Sequence, residues 1–498
     1  MSTTLLRDLR DCALMSLSAL AAQCAERMQT GARLLMLFGR PDSAAGNTAL
    51  CVTAVFQAAP GTPEPLSVLR AQATPGEHYP SLTARFPAAQ SLERELWEQT
   101  GLLPDGHPWL KPIRFEGARQ QQMDEYPFFN VRGQEVHEVG VGPIHASVIE
   151  PGHFRFMCLG EQVQHLEIQL GYQHRGVEAL LLRRPALALT PVIESVCGDS
   201  AIAYAWGHCA AVEALCGVQA SMETELLRGV ALELERIAMH VATLNGLATD
   251  IAFLQGGGTY GRLRTAIINL TQRLCGNRFG RGWLRPGRTR GLDAAQRADL
   301  LQTLSAFAPD FAGINALLCS SLSVAARFKG TGMVSAKTAQ ELGLVGLVAR
   351  ASGVAMDTRS QLPTRLYSAR PLELLTESGG DCWARMLLRM REVEASLQWL
   401  LAVGGDSALD LSGNFSEPAL ALTALSPKHL CISIVEGTRG PVLQVLETSE
   451  QGQLLHYKLQ DPSLPNWFGL AMALRDNAIS DFPICNKSFD LSYCGNDL

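Results

Sequence analysis

The chain has 498 residues, of which 47% are hydrophobic and 18% charged, and its net charge is −6. That length exceeds what a single core usually serves, the composition excludes a disordered chain, and the acidic excess argues against a nucleic-acid-binding face. Thirteen cysteines without one C-x-x-C pair argue against a disulfide framework and for a reducing compartment, and no uncharged apolar run of about 18 residues is present to span a bilayer.

From the N-terminus, Leu5 to Met28 has a helical pattern. Within it, Cys12 to Ala25 is uncharged and mostly apolar, as in a signal peptide. However, Asp8 and Asp11 stand where a positive n-region belongs, and Ser16, Ser18 and Gln23 interrupt the run, so an amphipathic helix is the preferred reading. The short apolar runs Leu34–Phe38 and Leu50–Phe56 predict strands. Pro and Gly clustered between Pro60 and Pro80 predict loops. The polar stretch from Glu116 to Val136, with Gln120, Gln121 and Gln122, predicts a linker. The chain thus divides into a small N-terminal α/β domain (1–115), a linker (116–136) and a larger domain (137–498). The fold class is α+β, the larger domain being mainly helical with peripheral β-strands.

Helical patterns dominate from Pro191 to Leu401. In the clearest, Leu227, Val230, Ala231, Leu234, Ile237, Ala238, Val241 and Leu244 follow the i, i+3, i+4, i+7 spacing of one helix face, with Ser221 as N-cap. Glu233, Arg236 and His240 lie off that stripe as a polar ridge, either a solvated face or an interhelical salt-bridged one. Further on, Cys431–Val435 predicts a strand, and Val442–Leu446 and Leu454–Leu459 predict a hairpin around Gly452. Asp481 to Leu498 shows little periodicity. No G-x-G-x-x-G opens a helix after a strand, so a nicotinamide nucleotide (NAD) is expected elsewhere in a complex.

Four groups of motifs, in this order, carry a resemblance. Glu93-Arg94-Glu95-Leu96-Trp97-Glu98-Gln99-Thr100-Gly101-Leu102 with Gly106-His107-Pro108 resembles the signature of the smaller hydrophilic subunit of complex I. Val141-Gly142-Pro143-Ile144-His145, Ile149-Glu150-Pro151-Gly152-His153-Phe154-Arg155-Phe156 and Gly171-Tyr172-Gln173-His174-Arg175-Gly176-Val177-Glu178 are similar to the opening of the nickel–iron hydrogenase large subunit. Leu232 to His240, Arg278 to Gly282 and Val348 to Gly353 continue it, and Val435-Glu436-Gly437-Thr438-Arg439-Gly440 resembles the family's Arg-Gly motif beside the metal. The chain therefore resembles the fused large subunit of energy-converting hydrogenases of the formate hydrogenlyase and hydrogenase-4 type, relatives of complex I. The resemblance implies a hydrogenase-large-subunit-like second domain.

It also implies a site, which the residues alter. The family's nickel–iron centre takes four thiolates from two C-x-x-C pairs, because soft sulfur suits it. Here the four positions fall on Cys197, Ser200, Ser492 and Gly495. Cys494 is adjacent but out of register, Cys485 aligns with no ligand, and buried structural cysteine is the preferred reading of Cys197 and Cys494. The nickel–iron centre is therefore expected to be absent, with no cofactor held by this chain. Glu150 falls at the family's proton-path carboxylate and Arg439 beside the former iron, as a vestigial pocket. His153 falls at a quinone-contacting histidine of complex I, while the corresponding tyrosine position falls near Gly198. Family precursors carry a C-terminal extension that is trimmed after metal loading. Only three residues follow Gly495, so none is expected here.

The implied function is a hydrophilic large subunit of a membrane-bound hydrogenase or complex I-related oxidoreductase complex, lacking its own nickel–iron centre and serving ion-translocation coupling, electron transfer or scaffolding. The alternatives are a catalytic subunit of hydrogenase or NADH–quinone oxidoreductase type with an atypical site, and an orphan structural protein. The implied partners are a small subunit bearing an iron–sulfur cluster and antiporter-like membrane subunits. The implied location is cytoplasmic, peripheral on the inner face of the cell membrane.

Overall fold

The structure is a computed structural model that describes residues 3–42, 49–59, 62, 64–116, 122–130, 133, 135–146, 149–413 and 424–498. Of the expected linker, 117–121, 131, 132 and 134 lie outside the described residues.

The N-terminal half is built on a four-stranded sheet in the spatial order Leu14–Ser16, Leu66–Ala73, Leu50–Gln57, Arg33–Pro41. Helix Leu17–Gln29, capped by the Ser16 hydroxyl, covers one face. Leu17 and Leu20 there share a core with Val52, Ala54 and Phe56. The other face meets a second sheet, where Met36, Phe38 and Val55 pack on Ile432, Ile434, Leu443 and Val445. A strand covered on both faces has no polar side to alternate with, and for that reason Leu50–Phe56 reads as a continuous apolar run.

The second sheet is antiparallel, in the order Thr4–Asp8, His429–Glu436, Pro441–Thr448, Leu454–Gln460. Its first strand comes from the N-terminus, with Thr4 opposite Ser433 and Asp8 opposite His429. This corrects the helix expected from Leu5. Residues 4–8 are a strand because their partner lies far along the chain, and local periodicity does not record such a partner. The loop expected between Pro60 and Pro80 likewise contains strand Leu66–Ala73, an eight-residue window between clusters of turn residues. The two sheets are also joined by charge, since Glu447 accepts from Arg40 and from Arg70 at 2.8 Å.

A third sheet, Gln162–Gln169, His153–Leu159, Val136–Val141, leads into the helical body. Helices Ala201–Leu215, Met222–Asp250, Leu254–Cys275, Ala294–Ser320 and Cys382–Gly405 form that body. Ser221 caps Met222–Asp250 by accepting from the Thr224 amide. Neighbours surround this helix, so the ridge of Glu233, Arg236 and His240 is buried, not solvated. Burial is tolerated because each charge has a partner. Arg236 meets Glu233 at 3.5 Å and also Glu392, while Arg389 meets the His240 ring at 3.3 Å. The segment after Asp481 forms two short helices, Phe482–Phe489 and Tyr493–Asp497. Among the described residues no single helix is long and apolar enough to cross a membrane. Ala294–Ser320 and Leu322–Phe328 reach that length and apolarity only jointly, across a 76° bend.

Candidate functional site

Three remote segments meet at Arg439. It lies on the turn between strands His429–Glu436 and Pro441–Thr448, and it is 7% exposed. Its guanidinium forks onto Asp199, with both bonds at 2.8 Å, and its Nε donates to the Asp490 carbonyl. Asp490 ends helix Phe482–Phe489 in the left-handed region (φ 56°), which turns that carbonyl inward. The Asp490 carboxylate lies 3.6 Å from the guanidinium and is itself held by Lys487 and Thr243. Desolvation opposes charge on Asp199, but the guanidinium beside it outweighs this and holds the carboxyl below its ordinary range.

Cys197 faces this ion pair. Its thiol donates to Asp199 at 3.1 Å and shares a 3.1 Å hydrogen bond with the Ser492 hydroxyl. The Ser492 hydroxyl lies 3.5 Å from the Cys494 sulfur and accepts the Gly495 amide at 2.9 Å. Interaction with Cys494, then burial, pushes the Cys197 thiol well up, while the same interaction holds Cys494 down. Glu150 accepts the Tyr493 amide at 3.3 Å and lies beside Cys494. Hydrogen-bonding groups thus run from Glu150 through Cys494, Ser492, Cys197 and Asp199 to Arg439. Thiols and hydroxyls both donate and accept, so such a run can pass a proton.

The structure therefore brings together Arg439, Cys197, Ser492 and Gly495, with Glu150 at the far end and not paired to Arg439. Ser200 lies at the start of helix Ala201–Leu215, but its side chain does not cap it. That end is capped by Glu235, which accepts the Ile202 and Ala203 amides at 2.7 and 3.2 Å. His153 hydrogen-bonds the Gly142 carbonyl at 3.1 Å and meets Phe128 edge-on. Among the described residues its ring makes no hydrogen bond to Cys197, Arg439 or Glu150. Cys485 sits elsewhere, 3.9 Å from Cys382.

Sequence reasoning missed Asp199, Asp461, Tyr204 and Glu235. Asp461 receives the Tyr204 hydroxyl at 2.7 Å and lies against Gly495, where an added Cβ would be 2.4 Å from its Oδ2. Asp199 stands between Cys197 and Ser200, two of the four ligand positions. An acid beside a surviving thiol, with an arginine motif elsewhere in the chain, was the available signal.

Glu235 carries a prediction. Burial pushes its carboxyl up to about 8, against its two amide bonds. Its folded pKa thus lies above its unfolded one. Between those two values the folded chain holds the extra proton, so this group's contribution to stability falls as pH rises and levels off above about 8. Urea denaturation across this range should show that slope in the wild type and a flatter one in Glu235→Gln.

The comparisons with known proteins agree with this architecture. The family model of the respiratory-chain NADH dehydrogenase 30 kDa subunit matches residues 13–128, and that of the 49 kDa subunit matches residues 258–403. Formate hydrogenlyase subunit 5 of Escherichia coli is 29% identical over 447 residues, which is 84% of this chain and 77% of that protein. Hydrogenase-4 component G of the same organism is 27% identical over 443 residues, 84% and 76% of the two chains. An NADH-quinone oxidoreductase subunit of Carboxydothermus hydrogenoformans is 30% identical over 274 residues, 54% of this chain and 73% of that one. The fold class is that of a fused hydrophilic subunit, with a 30 kDa-type domain ahead of a 49 kDa-type one. The chain belongs to the family of the complex I 49 kDa subunit and its hydrogenase counterparts, whose members are hydrophilic subunits of membrane-bound complexes.

Proposed function

We propose that this chain is the hydrophilic large subunit of a hydrogenase- or complex I-related membrane complex and holds no nickel–iron centre of its own. Its role is to couple electron transfer in its partners to ion translocation, or to scaffold them. The observation that carries this reading is the donor set at the family's four ligand positions, Cys197, Ser200, Ser492 and Gly495. Cys197 is the single thiol among them, and its sulfur lies 3.1 Å from Asp199 and from the Ser492 hydroxyl. The remaining ligand positions offer a serine at the end of a helix, a serine already bonded to Cys197 and a glycine whose backbone rests on Asp461. Hydroxyls and a bare backbone do not replace soft sulfur, so this donor set does not fit a four-thiolate centre.

The partners proposed are a small subunit bearing an iron–sulfur cluster and antiporter-like membrane subunits, with the chain peripheral on the inner face of the membrane. The relatives named above support the need for partners, since each is a subunit or component by name. The test is affinity purification of the full chain from its host's membrane fraction. Co-purifying iron–sulfur and membrane subunits are expected. A monodisperse monomer that purifies alone would contradict the proposal.

A further inference from the structure

Between the two domains lies a crevice of about 520 Å³, unrelated to the Cys197–Arg439 cluster. One wall is the start of strand Arg33–Pro41 and the head of helix Gln90–Thr100, and the other is the end of helix Ala336–Glu341 with Pro441 and Pro462. Its surface is mainly apolar, with Leu35, Leu92, Leu344 and Leu443 among its lining. A volume of this size suits a small organic ligand and is too small for a folded partner.

Two polar groups in this lining are short of partners, one part-buried and one buried. Arg33 makes no ion pair among the described residues. It has only the Gln57 side-chain oxygen, at 3.2 Å from one terminal nitrogen. Gln460 is 6% exposed, and its side-chain oxygen has no partner among the described residues. Among the fully buried arginines, Arg228 has Glu213, Arg114 has Glu95 and Arg350 has Asp357, while Arg385 and Arg389 donate to backbone carbonyls. Among the described residues Arg33 has neither kind of partner, and burial pulls its guanidinium down to about 10. A part-buried guanidinium without a counter-charge beside an apolar wall is open to an anion, and a carboxylate fits its fork in two parallel hydrogen bonds.

We propose that the crevice binds an aliphatic carboxylate, of the fatty-acid class, with its chain along the apolar walls and its head on Arg33. The inference is independent of the proposed function, because it concerns neither the Arg439 cluster nor the complex partners.

The test is calorimetric titration of dodecanoate, dodecyl phosphate and dodecanol into the full chain, in the complex in which it purifies. Saturable one-to-one binding of dodecanoate is expected, at least tenfold tighter than that of dodecanol. Arg33→Gln should remove that preference while leaving dodecanol binding unchanged. Ala32→Trp, at the crevice wall, should weaken binding of both. Absence of saturable dodecanoate binding would overturn the proposal, as would equal affinity for acid and alcohol in the wild type, an outcome that does not depend on any variant folding. Tighter binding of dodecyl phosphate than of dodecanoate would overturn the choice of a carboxylate in favour of a phosphorylated lipid.

Discussion

Glu392→Ala should destabilise the protein by about 3 to 5 kcal/mol, the cost usual for removing one partner of a buried ion pair. Glu392 is 1% exposed and faces three guanidiniums. It touches Arg236, lies 2.6 Å from Arg350 and is 3.0 Å from Arg359. Glu233 and Asp357 complete the cluster, Glu233 also accepting from Tyr367 and Ser396. Without Glu392, three buried cations would share two carboxylates. Burial alone would raise the Glu392 carboxyl, but Arg350, Arg236 and Arg359 together hold it well below its usual value. A depressed folded pKa contributes stability above the ordinary carboxylate range, and that stability is lost as pH falls below it. Denaturant unfolding near neutral pH should therefore show the full loss in Glu392→Ala, and the gap to wild type should narrow on acidification. A loss below about 1 kcal/mol, the scale of a surface pair, would mean that the cluster is not the anchor described.

Gly346→Ala should be nearly as damaging, by about 3 kcal/mol or more, because it combines a backbone clash with an unfavourable conformation. Gly346 has φ +60°, and a Cβ there would stand 2.0 Å from the Arg439 carbonyl oxygen and 2.4 Å from the Gly440 Cα. Neither atom is the flexible end of a side chain, so the Arg439 turn itself would have to move. That turn is closed by the Gly437 amide on the Gly440 carbonyl at 2.8 Å and aims the guanidinium at Asp199. Thermal melting should register the loss. Hydrogen exchange should localise it to residues 436–440 and to the Cys197–Ser200 loop. Unchanged protection there would show that the turn does not depend on this close approach.

Elements that announce themselves locally were legible. Helix Met222–Asp250 carries an unbroken apolar stripe and a serine cap, and strand Leu50–Gln57 is apolar from Leu50 to Phe56 except for Thr53. Strand Thr4–Asp8 was not legible, because its ladder partner lies more than 400 residues away, at His429–Glu436. The buried ridge was half legible. Spacing put Glu233, Arg236 and His240 on one face, but only the packing of helix Cys382–Gly405 decides that this face is dry. At the candidate site, motif resemblance supplied Cys197, Arg439 and Glu150. Of the acids that occupy it, Asp199 lies between two ligand positions and Asp461 belongs to no motif, and the role of each shows only against Arg439 and Gly495.

In the proposed function Cys197 belongs to a hydrogen-bonded ion-pair cluster in place of a metal centre. Nickel and iron analysis of the purified complex, with the metal assigned to subunits after their separation, tests it most directly. No nickel is expected on this chain, with any iron residing in an iron–sulfur partner. One nickel per chain, retained by this subunit, would contradict it.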